Sequence, residues 1–293
     1  MRNRILAGLG VAALASVGIA TPATAVTPTT ADLYIVHAFP ATAGIPDTTV
    51  DISIADGAIS LPDVPEGVAA GPGLAAPGVA VAALGNLAPN TYNVEIRLSS
   101  AAPGDPALFD EDVTLAAGKS YTAVAHPAVG GAFTVSIFEN DLTTSAAGNG
   151  LITVRHTADV GAVNVYSAGT SIAGPLSNGD EGVLELPAAT YPAVTAGPEG
   201  LIDAIDLGDV VLPAHTNIFV HAYGPNTDAE FGAVVFAIGG LSTPTGVPAG
   251  SAGLVAEGAP VNGVAIGGVA ALMLALMAAV AVIVRRKAVS VER

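Results

Sequence analysis

The sequence contains no cysteine and no tryptophan among its 293 residues. Without cysteine, neither a disulfide nor a lipid-modified N-terminal cysteine is possible, so an exported domain must be stabilised by packing alone. Aromatic residues make up only 4% of the chain. This scarcity argues against a carbohydrate-binding platform, which needs exposed aromatic rings on which sugars can stack.

Positive charge is also scarce. Between residues 26 and 262 the basic residues are Arg97, Lys119 and Arg155, set against 24 acidic residues, which gives a net charge of −21. A surface of this charge repels nucleic acids and anionic lipid headgroups and favours cations or basic partners. We therefore expect no nucleic-acid ligand.

Two apolar segments indicate export and membrane anchoring. Arg2 and Arg4, an apolar stretch over 5–20 and the small residues of 23–25 predict a signal peptide over 1–25, with an uncleaved N-terminal anchor as the alternative. The apolar run 263–284 would span about 33 Å as a helix. That length is enough to cross a bilayer core of about 30 Å.

The residues around this run set the expected orientation. The basic triplet 285–287 follows it directly, as the positive-inside rule requires. We expect a single-pass protein of the cell membrane, bound to the lipid bilayer through its C-terminal helix, with an extracellular N-terminal ectodomain. Residues 242–262, rich in Gly, Pro, Ser and Ala, are predicted to form a flexible stalk, and 285–293 a cytoplasmic tail.

An internal repeat predicts the fold. Residues 33–38 (LYIVHA) correspond to 152–157 (ITVRHT), and each segment is followed by an alternating strand, at 50–54 and 163–166. Each repeat closes with an apolar strand, at 133–138 and 233–238. No segment before residue 263 shows a convincing helical period. The sequence therefore predicts two tandem Greek-key or immunoglobulin-like β-sandwich domains plus one C-terminal transmembrane helix.

The predicted domains span 31–144 and 150–241, joined by a linker at 145–150. A shared Leu-x-x-x-Thr-Tyr pattern ends at Tyr92 in the first repeat and at Tyr191 in the second. We expect each tyrosine hydroxyl to bond back to the preceding turn, as in a tyrosine corner. The first repeat is longer because of residues 57–85, which predict either a long loop or a pair of short edge strands.

The segments 154–166, 186–191 and 206–212 resemble domain-of-unknown-function family 4397, a β-rich module of secreted and envelope proteins of bacteria. The alanine-rich, export-tagged chain as a whole is similar to surface proteins of actinobacteria. The resemblance covers both repeats, the second more cleanly. It implies a β fold and an envelope location. The family has no established catalytic residues, so the resemblance assigns none here.

Histidines are the first candidates for chemistry. His37 and His156 occupy matching positions in the two repeats, and His126 and His221 lie near the ends of later strands. Two histidines in each domain, with Asp159 in the second, would suit a transition metal. The alternative is that each imidazole caps a strand end or bonds a backbone carbonyl.

Two acidic groups are the next candidates, at 110–112 and at Asp203, Asp206 and Asp209. Loop carboxylates can bind Ca²⁺, but neither group has the spacing of a calcium loop. Because both groups lie in alternating strands, we interpret them as solvent-facing residues.

Nucleophile motifs such as Gly-x-Ser-x-Gly and His-Glu-x-x-His are absent from the sequence. We therefore assign no catalytic, cofactor-binding or metal residue, and no cofactor. We expect a non-enzymatic envelope protein that displays two β-sandwiches for protein or cell-wall contact, or as a structural spacer. The alternative is a secreted hydrolase or a metal-binding protein on a β scaffold, because a Ser-His-Asp site assembled from distant positions remains open.

Overall fold

The computed structural model describes residues 29–40, 49–55, 57–74, 84–102, 104–199, 203–224 and 231–241. Every regular element in these ranges is a β-strand. No helix among the described residues has the length and apolarity needed to span a membrane. The predicted signal peptide, stalk, transmembrane helix and cytoplasmic tail all lie outside these ranges.

Sixteen strands follow one another within the described ranges. The first eight are β1 (Asp32–His37), β2 (Val50–Ile54), β3 (Ile59–Val64), β4 (Val68–Ala70), β5 (Asn90–Leu98), β6 (Phe109–Leu115), β7 (Ser120–Pro127) and β8 (Phe133–Glu139). The second eight are β9 (Asn149–His156), β10 (Val163–Ser167), β11 (Thr170–Leu176), β12 (Glu181–Pro187), β13 (Ala189–Pro198), β14 (Ile205–Leu212), β15 (Asn217–Tyr223) and β16 (Gly232–Ile238).

The strands form four sheets of four strands, two sheets to a sandwich. The first sandwich has the orders β4-β1-β7-β8 and β3-β2-β5-β6, and the second has β12-β9-β15-β16 and β11-β10-β13-β14. Adding eight to each strand number converts the first pair of orders into the second. The parallel pairs also correspond, because β1 lies parallel to β7 and β9 lies parallel to β15. The predicted β-sandwich fold is confirmed, and the repeated sequence produces a repeated topology.

Alternation along the strands builds a separate core inside each sandwich. In β2, Val50, Ile52 and Ile54 are buried and Asp51 is exposed, as period-two side-chain alternation requires. These apolar residues pack with Leu33 of β1 from the facing sheet. The second core repeats this arrangement with β9 and β10. Cavities of about 10 and 20 Å³ in the two cores are lined by apolar side chains and have room for about one water molecule each.

The extra length of the first repeat forms edge strands rather than a plain loop. Within 57–85, of which 75–83 lie outside the described residues, the chain forms β3 and β4. Each lies at the edge of its own sheet. The second of the two predicted possibilities, a pair of short edge strands, is therefore confirmed for the described part of this segment.

The middle sheets of the two sandwiches pack on each other, so the described strands form four stacked layers. Strands β1 and β9 are buried along nearly their whole length, on both faces. An apolar cluster with Tyr34 and Val124 from the first sandwich and Phe219 and Phe236 from the second lies between them. The described residues of both sandwiches accordingly belong to one compact unit by their contacts. Asn149 and Gly150, at the end of the predicted linker, are already the first residues of β9.

This interface has the pattern of a pseudo-two-fold axis. Phe138 is paired with Thr122 across β8 and β7, and Phe236 is paired with Phe219 across β16 and β15, so the two phenylalanines occupy equivalent positions. Each contacts the first strand of the opposite sandwich. The Phe236 ring stacks on Tyr34 of β1 with centroids 5.1 Å apart. The Phe138 ring lies 4.6 Å beneath the guanidinium carbon of Arg155 on β9. Reciprocal contact of this kind is typical of an isologous homodimer interface.

The predicted tyrosine corners are present in both sandwiches. The Tyr92 hydroxyl donates to the Ala88 carbonyl at 2.7 Å, and the Tyr191 hydroxyl donates to the Pro187 carbonyl at 2.8 Å. Each bond reaches back four residues across the turn that leads into β5 or β13. The two turns are therefore fixed to the strands that follow them.

Removing either hydroxyl should lower the stability of the fold. We expect Tyr92→Phe and Tyr191→Phe each to reduce the free energy of unfolding by about 1 kcal/mol, the usual net contribution of one hydrogen bond. Urea denaturation of the full chain, followed by circular dichroism, measures this change. Tyr166→Phe is the matched control because the Tyr166 hydroxyl has no hydrogen bond among the described residues. An equal loss in all three variants would contradict the assignment.

Candidate functional site

The least expected polar group lies in the middle of the interface. Arg155 on β9 is fully buried, with a relative exposure of 0%. Its Nε donates to Glu181 Oε2 on β12 at 2.7 Å, and its Nη2 donates to Asn140 Oδ1 of the first sandwich at 2.9 Å. The guanidinium carbon lies 4.6 Å from the Phe138 ring centroid and 4.9 Å from that of Phe219. One side chain therefore binds both sandwiches by hydrogen bonds and by cation–π contacts.

Neighbouring groups of the first sandwich orient the Asn140 side chain so that it accepts the hydrogen bond from Arg155. Its Oδ1 also accepts from Thr122 Oγ1 at 2.7 Å, and its Nδ2 donates to Ser120 Oγ at 2.9 Å. A second buried asparagine makes a reciprocal contact, because Asn217 Nδ2 of the second sandwich donates to the Asp141 carbonyl at 2.9 Å. The polar groups of the interface are thus hydrogen-bonded to one another across it, as buried polar groups must be to avoid a large desolvation cost.

Electrostatics at Arg155 follow from its burial. Loss of solvation lowers the pKa of its guanidinium, while the Glu181 carboxylate acts in the opposite direction. Glu181 is about a quarter exposed. The Arg155–Glu181 ion pair is therefore partly exposed to water at its carboxylate and fully buried at its guanidinium.

His221 on β15 takes the remaining donor of Arg155. Nη1 of Arg155 lies 3.2 Å from His221 Nε2, and His221 Nδ1 lies 3.4 Å from the Val234 carbonyl. A guanidinium can only donate. His221 must therefore be neutral, with its proton on Nδ1 directed at Val234. Burial, and then the charge of Arg155, hold the pKa of His221 well below its usual value.

His126 forms a comparable arrangement in the first sandwich. Its Nδ1 donates to the Pro127 carbonyl at 3.0 Å, since a carbonyl can only accept. Its Nε2 therefore accepts from the Ser136 hydroxyl, with a distance of 2.8 Å between the two atoms. Burial lowers the pKa of His126. Ser136 and His126 are a hydroxyl and a neutral imidazole in the orientation that a nucleophile and its base require.

The remaining two predicted histidines also bond main-chain oxygens. His37 Nδ1 donates to the Val64 carbonyl at 3.2 Å, and His156 Nε2 donates to the Gly161 carbonyl at 3.0 Å. Burial lowers the pKa of both imidazoles. With His126 and His221, all four histidines considered from the sequence bond a backbone carbonyl, which confirms the second interpretation offered for them.

Asp159, which was suggested as a ligand beside the two histidines of the second domain, instead joins loops of the two sandwiches. Its Oδ1 accepts from the Gly130 amide in the β7–β8 hairpin at 2.9 Å. Asn178, in the β11–β12 turn, donates from Nδ2 to the Pro127 carbonyl of that hairpin at 2.9 Å. The hairpin of the first sandwich is thereby fixed to two loops of the second. The described residues contain no group of three or more His, Asp or Glu side chains suited to a metal ion.

The two acidic groups lie on the outer surface. All three residues of 110–112 are exposed in β6, and so are Asp203, Asp206 and Asp209 in and before β14. The carboxylates of Asp206 and Asp209 accept from the amides of Gly208 and Ala193. Their interpretation as solvent-facing residues is confirmed.

The basic residues of the described chain are all paired with carboxylates. Arg97 contacts Glu95, Lys119 contacts Glu139 and Arg155 contacts Glu181. Since Arg155 is buried, the described surface carries only Arg97 and Lys119 as permanent cations. The remaining surface charge is negative, as the composition indicated.

The sequence matches one family model. Residues 31–166 match the domain of unknown function DUF4397. The predicted resemblance is thereby confirmed for this segment. The DUF4397 match covers the whole first sandwich and continues through β9 to Tyr166 in β10. The rest of the second repeat, which was expected to resemble the family more cleanly, lies beyond the match, so a tandem pair of DUF4397 modules stays a prediction. No curated protein matches the chain significantly.

Sequence reasoning missed the interface, although it singled out several residues that form it. A signal was present at 33–36 (LYIV) and 218–220 (IFV), which are continuous apolar runs rather than alternating ones. Such runs are typical of strands buried on both faces. Arg155 was noted only as one of three basic residues, and its partners are distant in the sequence. Asn140 and Glu181 could not be assigned to it without the fold.

Removing the buried guanidinium should be costly. We expect Arg155→Met to lower the free energy of unfolding by about 3 kcal/mol, because the contacts of Glu181, Asn140 and His221 lose their donor. Denaturant unfolding of the full chain measures this loss. The control is Arg97→Met, which removes an exposed ion pair and should cost less than about 1 kcal/mol. Equal effects of the two substitutions would show that the buried cluster contributes no more than a surface pair.

Proposed function

We propose that this chain is a non-enzymatic, membrane-anchored protein of the cell envelope that presents its two sandwiches as one body. It would serve as a spacer or as a surface for contact with envelope proteins or the cell wall. The observation that carries this proposal is the buried group formed by Arg155 and its hydrogen-bond partners Glu181, Asn140 and His221. It joins the sandwiches through buried contacts, which suits a body of fixed shape. Two domains on a loose linker would suit independent binding instead.

The use of polar side chains supports the same proposal. The four histidines bond main-chain carbonyls and Asp159 holds a hairpin, so these groups have structural partners. The acidic outer surface favours basic partners over nucleic acid. The strands of each sandwich pass repeatedly from one sheet to the other, and we assign this topology to the Greek-key, immunoglobulin-like group.

Anchoring is proposed from the sequence. The apolar run 263–284 and its basic flank suit a membrane span, and the signal over 1–25 suits export with the sandwiches outside the cell. The resemblance to actinobacterial surface proteins gives the expected setting. The stalk over 242–262 would hold the sandwiches within about 25 Å of the bilayer on average.

Cell fractionation tests the anchoring. We expect the full chain to stay with the membranes after wall digestion and to be released by detergent, because the apolar run is held by lipid. A chain ending at residue 262 is the matched control and should appear in the medium. Release of the full chain by wall digestion alone would contradict a lipid anchor and would indicate covalent attachment to the wall.

A secreted hydrolase is the second candidate, and one observation favours it. Ser136 Oγ lies 2.8 Å from Nε2 of the neutral His126, whose Nδ1 is held by the Pro127 carbonyl. In such a dyad the imidazole would take the hydroxyl proton while the oxygen attacks an acyl carbonyl. The Pro127 carbonyl would take the orienting role that an aspartate has in a triad.

A fluorophosphonate probe separates the two functions. If the chain is non-enzymatic, we expect no more labelling of Ser136 than of Ser167, another serine of a described strand, whose hydroxyl bonds a main-chain carbonyl. Peptide mass spectrometry of the treated chain measures both. Selective labelling of Ser136 that is lost in His126→Gln would contradict the non-enzymatic proposal and support a hydrolase.

A further inference from the structure

The contact between His221 and Arg155 joins two fully buried side chains, each of which can carry a positive charge. Both side chains have 0% relative exposure, and Arg155 Nη1 lies 3.2 Å from His221 Nε2. The guanidinium supplies only donors, so the contact exists only while Nε2 keeps its lone pair. Adding a proton to Nε2 replaces a hydrogen bond by two N–H groups directed at each other, each on a cation.

The surroundings of His221 offer little compensation for a second positive charge. Arg155 faces it from β9 and lowers its pKa. His126, on β7 of the other sandwich, lowers the pKa of His221 further. On β16 its neighbours are the Val234 carbonyl and the Phe236 ring, which stacks on it at 5.5 Å. On β1, the hydroxyl of Tyr34 is buried, which raises its pKa and keeps it neutral.

The Glu181 carboxylate lies close to this group of side chains, but it already accepts a hydrogen bond from Arg155. Glu181 on β12 accepts from Arg155 Nε at 2.7 Å and so neutralises the guanidinium that is present in the neutral state of His221. Among the described groups that face His221, no second carboxylate bonds either ring nitrogen. A protonated His221 would therefore leave a net positive charge enclosed between the sandwiches.

We propose that His221 is a proton-sensitive latch. Acidification charges His221 beside Arg155, its neighbour in the same sheet, and the added charge in the closed interface breaks the bond from Arg155 to Asn140 and releases one sandwich from the other. The latch acts on the interface and leaves each sandwich folded. Three apolar clusters support this separation, since one lies inside each sandwich and the third lies between them. Opening the third exposes its residues to water without disturbing the first two.

The direction of the pH dependence follows from the lowered pKa. In the closed state the pKa of His221 lies well below the usual value of 6.5, chiefly because of burial, and exposure to water on opening raises it toward that value. The closed interface is therefore fully stable above 6.5. It loses stability as the pH falls from there toward the lowered pKa, because the open state binds more protons. His126 lies in the same interface and changes the stability in the same direction.

Energy transfer between two dyes tests the latch in the full chain. The chain has no cysteine, so Val129→Cys in the first sandwich and Val211→Cys in the second provide two labelling positions. Both positions are well exposed, at 77% and 62%. We expect transfer efficiency to change by about half or more between about pH 8 and pH 5. The midpoint should lie below 6.5, and the circular dichroism should stay that of folded sandwiches.

His221→Gln is the decisive variant, since its amide oxygen accepts from Arg155 at every pH and it binds no proton. Its transfer efficiency should change much less than that of the parent chain over the same range, because only His126 then titrates in the interface. His37→Gln is the control, because His37 is also buried but bonds Val64 of its own sandwich, and its response should match that of the parent chain. Coinciding traces for His221→Gln and the parent chain would overturn the proposal, as would a parent trace that changes only when circular dichroism is lost.

A second measurement covers the case in which His221→Gln does not fold. The NMR signals of the His221 ring in the parent chain report directly whether Nε2 carries a proton. Protonation of this ring over the same pH range as the change in energy transfer would support the latch. A ring that stays neutral until the whole chain unfolds would refute it.

Discussion

The arrangement of the two sandwiches depends on one buried cation. Arg155 lies between two aromatic rings and has a hydrogen-bond partner for each of its three nitrogens, one of them on the opposite sandwich. Placing a charge in such a site costs several kcal/mol, which only good geometry and complete hydrogen bonding can offset. Its partners are therefore constrained as well. Asn140 must be oriented, Glu181 must accept from Nε and His221 must be neutral.

Such an interface selects one arrangement more strongly than an apolar one would. Apolar surfaces can slide over one another with little loss, whereas a guanidinium with fixed partners is satisfied in a single register. The aromatic rings around Arg155 add contact area, and the polar groups determine how the sheets are placed. In a chain without disulfides, this combination gives a defined arrangement without a covalent bond between the sandwiches.

Much of the fold could be predicted from the sequence because it follows local rules. Alternation at 50–54 determined the buried face of β2, and the Leu-x-x-x-Thr-Tyr pattern predicted the hydroxyl bonds of Tyr92 and Tyr191 correctly. The packing between the sandwiches could not be predicted in this way. Arg155 and Asn140 come from different repeats, and their contact follows from how two sheets stack. Periodicity within a strand shows that a face is buried and does not show what covers it.

The pseudo-two-fold interface also has a consequence for how tightly the sandwiches must hold each other. Only residues 140–148 connect β8 to β9, so each sandwich meets the other at the high effective concentration of a short tether, on the millimolar scale. Two faces that would associate weakly as separate molecules therefore stay together within one chain. A single sandwich made alone would present the same kind of sheet to its own copies without the benefit of such a tether. Covalent linkage of the repeats thus keeps the two sandwiches paired through an interface that need not be strong enough to hold separate chains together.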